Sequence, residues 1–142
     1  MDKLSGFEEI DHTADWEIQV WGPDLPALLE QAARGMYTLV GLTTGPGPNC
    51  KRGLEIRSSD PEGLLVNFLA ELLYLEAAEG LVMDQFEIEV VGPDQANGYR
   101  LSANLLGAPA AAAGKDIKAV TYHKMNIVQG SRGLEVRIVF DV

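Results

Sequence analysis

A single cysteine, Cys50, stands in the 142 residues. One thiol cannot close a disulfide within the chain, and it cannot supply the thiolates of a tetrahedral structural zinc site. A reducing compartment, the cytoplasm, is therefore the expected home. Long apolar runs are also missing: the stretches are short and interrupted, whereas a membrane-spanning helix needs about 20 apolar residues. No membrane partner is expected. The start of the chain, MDKLSGFEEI, lacks the apolar segment of a secretory signal, so none is expected. Positive charge is scarce, with 11 Lys and Arg against 21 Asp and Glu and a formal net charge of −10. Phosphate contacts dominate nucleic-acid affinity, so direct docking on nucleic acid is not expected. A basic partner or bound cations suit the surface better, and the acidity also serves solubility. The glycines of the Thr43–Asn49 stretch lack the Lys-Ser/Thr ending of a phosphate-binding loop, and the Ser, Cys and Gly patterns of hydrolases are absent.

What is present reads as a single domain over residues 1–142 with a real core, since 46% of the residues are hydrophobic. The first helix follows Asp24, a good N-cap, and carries Leu25, Leu28, Leu29, Ala32, Met36 and Leu39 at helical spacing up to a stop at Gly41. The second opens with Ser59-Asp60-Pro61-Glu62, which offers a cap, an early proline and an acid in the first turn. Leu64/Leu65, Phe68/Leu69 and Leu72/Leu73 then make one apolar stripe that ends at Gly80. The remaining segments alternate with a period of two. Trp16, Ile18 and Val20 mark one strand, Leu54 and Ile56 another, Phe86, Ile88 and Val90 a third, and Leu101, Ala103 and Leu105 a fourth. Val120 to Val128 is expected as a fifth. The last runs from Leu134 to Val142 and should form a hairpin with the fifth across Gly130–Gly133. Thr43–Asn49, Gly92–Gly98 and the alanine-bearing Gly107–Asp116 stretch are expected as loops. The expectation is an α+β fold, a two-layer sandwich of two amphipathic helices on a mixed, mostly antiparallel sheet.

Three polar segments could carry chemistry. Asp11-His12-Thr13-Ala14-Asp15 interrupts the strand signal between Ile10 and Trp16. Its carboxylates and imidazole suit a metal or a proton transfer, and they equally suit a turn whose side chains cap local N–H groups. At the other end, Asp141 lies on the strand face opposite Phe140, and Val142 would set an α-carboxylate beside it. Adjacent anionic groups attract a hard cation, because Ca²⁺ and Mg²⁺ prefer oxygen ligands. A frayed, hydrated chain end is the alternative, against which the regular alternation through Val142 speaks. The third segment, Lys118-Ala119-Val120-Thr121-Tyr122-His123, holds an imidazole that reads either as a base or as a hydrogen-bonded structural residue.

Together these pieces resemble the archease family. In family order they are Asp11-His12-Thr13-Ala14-Asp15, Trp21-Gly22, the Ala-Ala-x-Gly-Met stretch at Ala32 to Met36, and Phe68-Leu69-Ala70-Glu71-Leu72-Leu73-Tyr74. Ile117 to His123, reading IKAVTYH, and the terminal Val139-Phe140-Asp141-Val142 complete the set. The resemblance implies a protein cofactor, not an enzyme, that partners an RtcB-type 3′-phosphate RNA ligase in tRNA splicing. It would promote guanylylation of the ligase's active-site histidine and permit multiple turnover. The resemblance also implies a divalent cation, calcium first, with manganese or magnesium as other candidates, held by Asp15, Asp141 and Val142. Asp11, His12, Lys118 and His123 would surround that ion or touch the partner. One departure stands out: the loop before IKAVTYH is acidic and histidine-bearing in the family, and here it reads Ala108-Pro109-Ala110-Ala111-Ala112-Ala113. Two other classes of function stay open at this point, a stand-alone metal-dependent enzyme and a general chaperone or modulator of RNA-modifying proteins.

Overall fold

The structure is a computed structural model that describes residues 5–10, 16–95, 98–112, 114–115, 117–121 and 125–141. Among the described residues ten elements follow one another: β1 Gly6–Ile10, β2 Trp16–Gly22, α1 Leu25–Val40, β3 Cys50–Ser58, α2 Pro61–Glu79, β4 Leu81–Asp94, β5 Gly98–Pro109, β6 Ala119–Thr121, β7 Val128–Gly130 and β8 Gly133–Asp141.

Both helices begin and end where local chemistry dictates. The Asp24 side chain accepts the Ala27 N–H at 2.9 Å, and the Asp60 side chain accepts the Gly63 N–H at 2.7 Å. Each cap satisfies one of the N–H groups that a helix start leaves without a partner. Each helix stops on a left-handed glycine, Gly41 with φ 76° and Gly80 with φ 69°, a conformation that costs a residue with a Cβ. On α2, Leu64, Leu65, Phe68, Leu69 and Leu72 are fully buried, and Leu75 is nearly so. Leu73 is only half-buried, so the sixth member of the expected stripe lies at its rim. The stripe turns toward Val66 and Leu75 instead.

The α+β architecture expected from the sequence is present, with its strands divided between two sheets. One is five-stranded in the order β1-β2-β8-β6, with β7 also on β8; the other is β3-β5-β4. Every described pairing is antiparallel, so no mixed sheet forms among the described residues. Helix α1 packs on β1, β2 and β8 of the first sheet and on β4 of the second. Helix α2 packs on α1, on all three strands of the second sheet and on β6. One hydrophobic cluster therefore joins Ile18, Val20, Val136, Ile138 and Phe140 of the first sheet to Ile56, Leu101 and Leu105 of the second through both helices.

Three expected boundaries move. The fifth strand is not continuous from Val120 to Val128: β6 pairs with Val139–Asp141 and β7 with Gly133–Glu135. Between them the Ile127 N–H leaves the ladder and donates to Glu62 Oε2 of α2 at 2.9 Å. The expected loop from Gly107 begins later, because β5 continues to Pro109, opposite Leu81. Gly107 belongs to the strand for a steric reason, since a Cβ there would stand 2.1 Å from the Val82 carbonyl oxygen. The alanine run is not helical at Ala110–Ala112, and its start is tied down. Ala110 N–H donates to Gly80 O at 2.8 Å and Ala111 N–H to Thr43 O at 2.9 Å. Likewise β4 runs through the expected Gly92–Gly98 turn as far as Asp94.

Tyr37 of α1 gives the core a titratable marker. Its hydroxyl accepts the Met83 N–H of β4 at 3.3 Å in a buried setting. Burial pushes the phenol up to about 12, against which the Met83 bond acts in the lowering direction. An unfolded tyrosine ionises near pH 10, so the stabilisation is complete below pH 10 and is lost as pH rises toward 12. A difference of that size between the folded and unfolded phenol corresponds to roughly 2–3 kcal/mol. Tyrosinate absorbance should therefore show a late step that Tyr37→Phe removes, with stability falling over the same interval. A Tyr37→Phe titration identical to that of the parent would contradict the assignment.

Candidate cation site

The last strand sets the site. Along β8, Ile138 and Phe140 point into the core, so Arg137, Val139 and Asp141 share the outer face. On β2 the inward residues are Ile18 and Val20, which puts Glu17 and Gln19 on that same outer face. The register then fixes neighbours. Trp16 stands opposite Phe140, and on the other side of β8 Val120 stands opposite Phe140 as well. This row of three brings the first residue after Asp11–Asp15, the centre of Lys118–His123 and the residue before Asp141 side by side. One segment comes from the start of the chain, one from its last quarter and one from its end.

Asp141 is exposed, one residue beyond that row along β8. Its backbone is fixed: Ala119 is its partner in β6, and the Lys118 N–H donates to its carbonyl oxygen at 2.7 Å. The structure thus brings Asp141 and Lys118 together, with the Lys118 side chain also exposed. Asp11, His12, Asp15, His123 and Val142 lie outside the described residues. Among the described residues, no three His, Cys, Asp or Glu side chains gather as a metal site. Asp141 fits a hard cation by its chemistry, a carboxylate on a rigid strand that faces solvent. Nearby, Lys115 Nζ sits 4.6 Å from the centroid of the Trp16 ring, a cation–π contact that braces the start of β2.

One charged pair at this end was not foreseen from the sequence. Glu17 is 7% exposed, the one charged residue in the buried set of described residues. Its carboxylate pairs with Arg137 Nε at 3.2 Å. Glu17 faces Val139 and Arg137 faces Gln19, so the pair crosses β2 and β8 on the diagonal. The ion pair draws the Glu17 carboxylate along β8 away from Asp141, which keeps two acids of one face apart. The signal in the sequence was an acid between Trp16 and Ile18, but its partner lies 120 positions away and only the register supplies it.

Comparison with known proteins places this architecture. The model of the Archease protein family (MTH1598/TM1083) matches residues 7–142. The chain is similar to the protein archease of Methanosarcina barkeri, with 30% identity over 140 residues that cover 96% of this chain and 95% of that protein. It is similar to the protein archease of Archaeoglobus fulgidus, with 33% identity over 135 residues, 94% of this chain and 96% of that one. Among solved structures, the solution structure of Methanobacterium thermoautotrophicum protein 1598 superposes with a TM-score of 0.76 at 28% identity, over 96% of this chain and 99% of that chain. The crystal structure of a Thermotoga maritima archease, described as a possible chaperone, shares the fold with a TM-score of 0.65 at 20% identity, over 95% and 96% of the two chains.

Proposed function

This chain belongs to the archease family, and from that premise we propose that it acts as a protein cofactor of an RtcB-type RNA ligase in tRNA splicing. In this reading it promotes guanylylation of the ligase histidine, permits multiple turnover, and has no reaction of its own. The observation that supports the reading is the row Trp16, Phe140 and Val120, which brings chain next to three distant polar motifs to one end of one sheet. A partner surface needs residues from distant parts of the chain held together, and strand pairing does this for Lys118 and Asp141.

Asp15, Asp141 and Val142 would hold the divalent cation, calcium first. Such an ion would supply a positive centre on an otherwise acidic surface, able to offset negative charge on a bound partner or its nucleotide. The chain's own residues set the rest. Lys118 holds the Asp141 main chain through its N–H and offers its ammonium to the partner. Asp11, His12 and His123 belong to the same motifs and are assigned to the surroundings of the ion or to partner contact. The net charge of −10 favours a basic docking surface on the ligase.

The description of the Thermotoga maritima relative as a possible chaperone favours a second reading, a general holder of RNA-modifying proteins. One experiment separates them. Ligase guanylylation is followed under multiple turnover with and without this protein, beside an aggregation assay on unrelated clients. Acceleration of the ligase without protection of the clients is expected. Protection of many clients with no change in ligase turnover would favour the chaperone, and turnover of RNA by this chain alone would make it an enzyme.

A further inference from the structure

The outer face of the three-stranded sheet carries a like-charge pair that its fold does not need. Arg57 of β3 stands directly opposite Arg100 of β5, and both are exposed. Their strand neighbours Ile56 and Leu101 point the other way, into the core. Like charges directly opposed across two strands destabilise a sheet. With 21 acids and 11 Lys and Arg in the chain, an arginine facing an arginine is not the arrangement that composition favours. Arg57 has one weak partner, Glu55 Oε1 at 3.4 Å, and both side chains are well exposed, so this pair neutralises little. The Arg100 guanidinium makes no ion pair or hydrogen bond among the described residues.

The backbone beside this pair makes room for a ligand. β4 breaks register between Val91 and Asp94, and such a bulge bends the strand locally. Beside the row Arg57–Arg100–Val91 it leaves a small hollow of 110 Å³ that both arginines line. An open hollow of 520 Å³ adjoins it, shares Arg57, Asp94 and Gly98 with it, and adds Ser58 and Ser59.

We propose that Arg57 and Arg100 form a binding site for a phosphate group. The guanidinium fork matches two oxygens of a phosphate at once, and two forks on adjacent strands can grip different oxygens of one group. A bound dianion or diester would also remove the repulsion between the two arginines. Asp94 lines both hollows, has an interaction of its own, and opposes an anion, so it limits affinity. The phosphate comes from free inorganic phosphate or from the backbone or terminus of an RNA. This site is built from residues outside the candidate cation site and stands or falls apart from the ligase reading.

The test uses the full chain. Arginine Nε–H resonances are followed by NMR during titration with sodium phosphate, with sodium chloride at equal ionic strength as reference. The parent should show saturable shifts of Arg57 and Arg100 in phosphate beyond those in chloride. R57Q/R100Q should bind phosphate about tenfold more weakly or worse. R57K/R100K should recover only part of the affinity, because lysine keeps the charge and loses the fork. Asp94→Asn should bind more tightly than the parent. A second arm repeats the titration with a short 5′-phosphorylated single-stranded RNA and its unphosphorylated counterpart. Tighter binding of both RNAs than of inorganic phosphate, with the same arginine dependence, assigns the backbone as the source. A gain confined to the phosphorylated RNA assigns the terminus, and no gain assigns free phosphate. Shifts no larger in phosphate than in chloride, or equal affinity in R57Q/R100Q and the parent, overturn the site. Should R57Q/R100Q fail to fold, the residue-specific shifts of the parent decide alone.

Discussion

Phe68→Ala is expected to lower stability by about 3–5 kcal/mol, the range for a fully buried phenylalanine that leaves a cavity. Phe68 is 0% exposed and meets Phe86 of β4 edge-on, with ring centroids 6.4 Å apart at 68°. Edge-to-face pairs contribute beyond the area they bury, so the loss has two parts, cavity and ring contact. Phe68 also belongs to the hydrophobic cluster that joins both sheets, together with Leu64, Leu65, Leu69, Leu72 and Phe140. No single sheet can close over the gap without shifting a helix that the other sheet holds. Domains of this kind are stable by only about 5–15 kcal/mol, so the variant should sit near the edge of folding. Leu69→Ala should cost about 2–5 kcal/mol for the same reason. Tyr74, at 63% exposed on the same helix, provides the control, and Tyr74→Ala should stay within about 0.5 kcal/mol. Urea denaturation of the three variants measures this order. Equal small losses for Phe68 and Tyr74 would mean that α2 presents a different face to the core.

The same helix shows what a sequence makes legible. Its cap at Asp60, its proline at the first turn and its stop at Gly80 act over three or four residues. The period of β8 is as local, and the chain keeps it to Asp141. What was not legible depends on contacts between distant parts. The break between β6 and β7 follows from the Ile127 N–H reaching Glu62, 65 positions earlier. Apolar spacing from Val120 to Val128 carries no trace of that bond. Gly107 and Pro109 read as loop residues on their own, yet they extend β5. Gly107 has no Cβ where Val82 comes close, and Pro109 closes a strand end, where a missing N–H is tolerated. Division into two sheets is a question of pairing, which a period of two leaves undecided.

The candidate site divides in the same way. Two acidic segments at opposite ends of the chain, and the face that Asp141 occupies, follow from residue type and alternation. That their flanks meet follows only from the register of Trp16 with Phe140. The Glu17–Arg137 pair lay beyond reach because a diagonal partner is set by strand pairing, 120 positions apart in the sequence. A buried acid inside a strand is the one local sign, and without the register it cannot be told from an acid on an exposed face.

In the proposed role as a cation-bearing ligase cofactor, Asp141→Asn and Asp15→Asn are each expected to abolish most of the activation while sparing the fold. Each change removes one negative charge at nearly constant shape. An amide oxygen is a poorer ligand than a carboxylate for a hard cation. Groups that merely support a metal's ligands cost about 10–100-fold in metal affinity or activity when replaced, so a ligand should cost at least that. Stability should hardly move at Asp141, because the side chain is exposed and the strand is fixed through its main chain, by Ala119 in the ladder and by Lys118 at 2.7 Å. Exposed substitutions of this kind stay within about 0.5 kcal/mol. Lys118→Ala separates cation binding from docking. It keeps the N–H that holds Asp141, so calcium affinity should persist while activation falls if the ammonium touches the ligase. Calcium binding by calorimetry and ligase guanylylation against activator concentration, at several divalent-ion concentrations, read the two effects independently. Excess divalent ion should partly rescue Asp141→Asn and Asp15→Asn, because weakened affinity is offset by mass action, and it should not rescue Lys118→Ala. Parental calcium affinity in both Asn variants, with undiminished activation at low metal, would place the cation elsewhere.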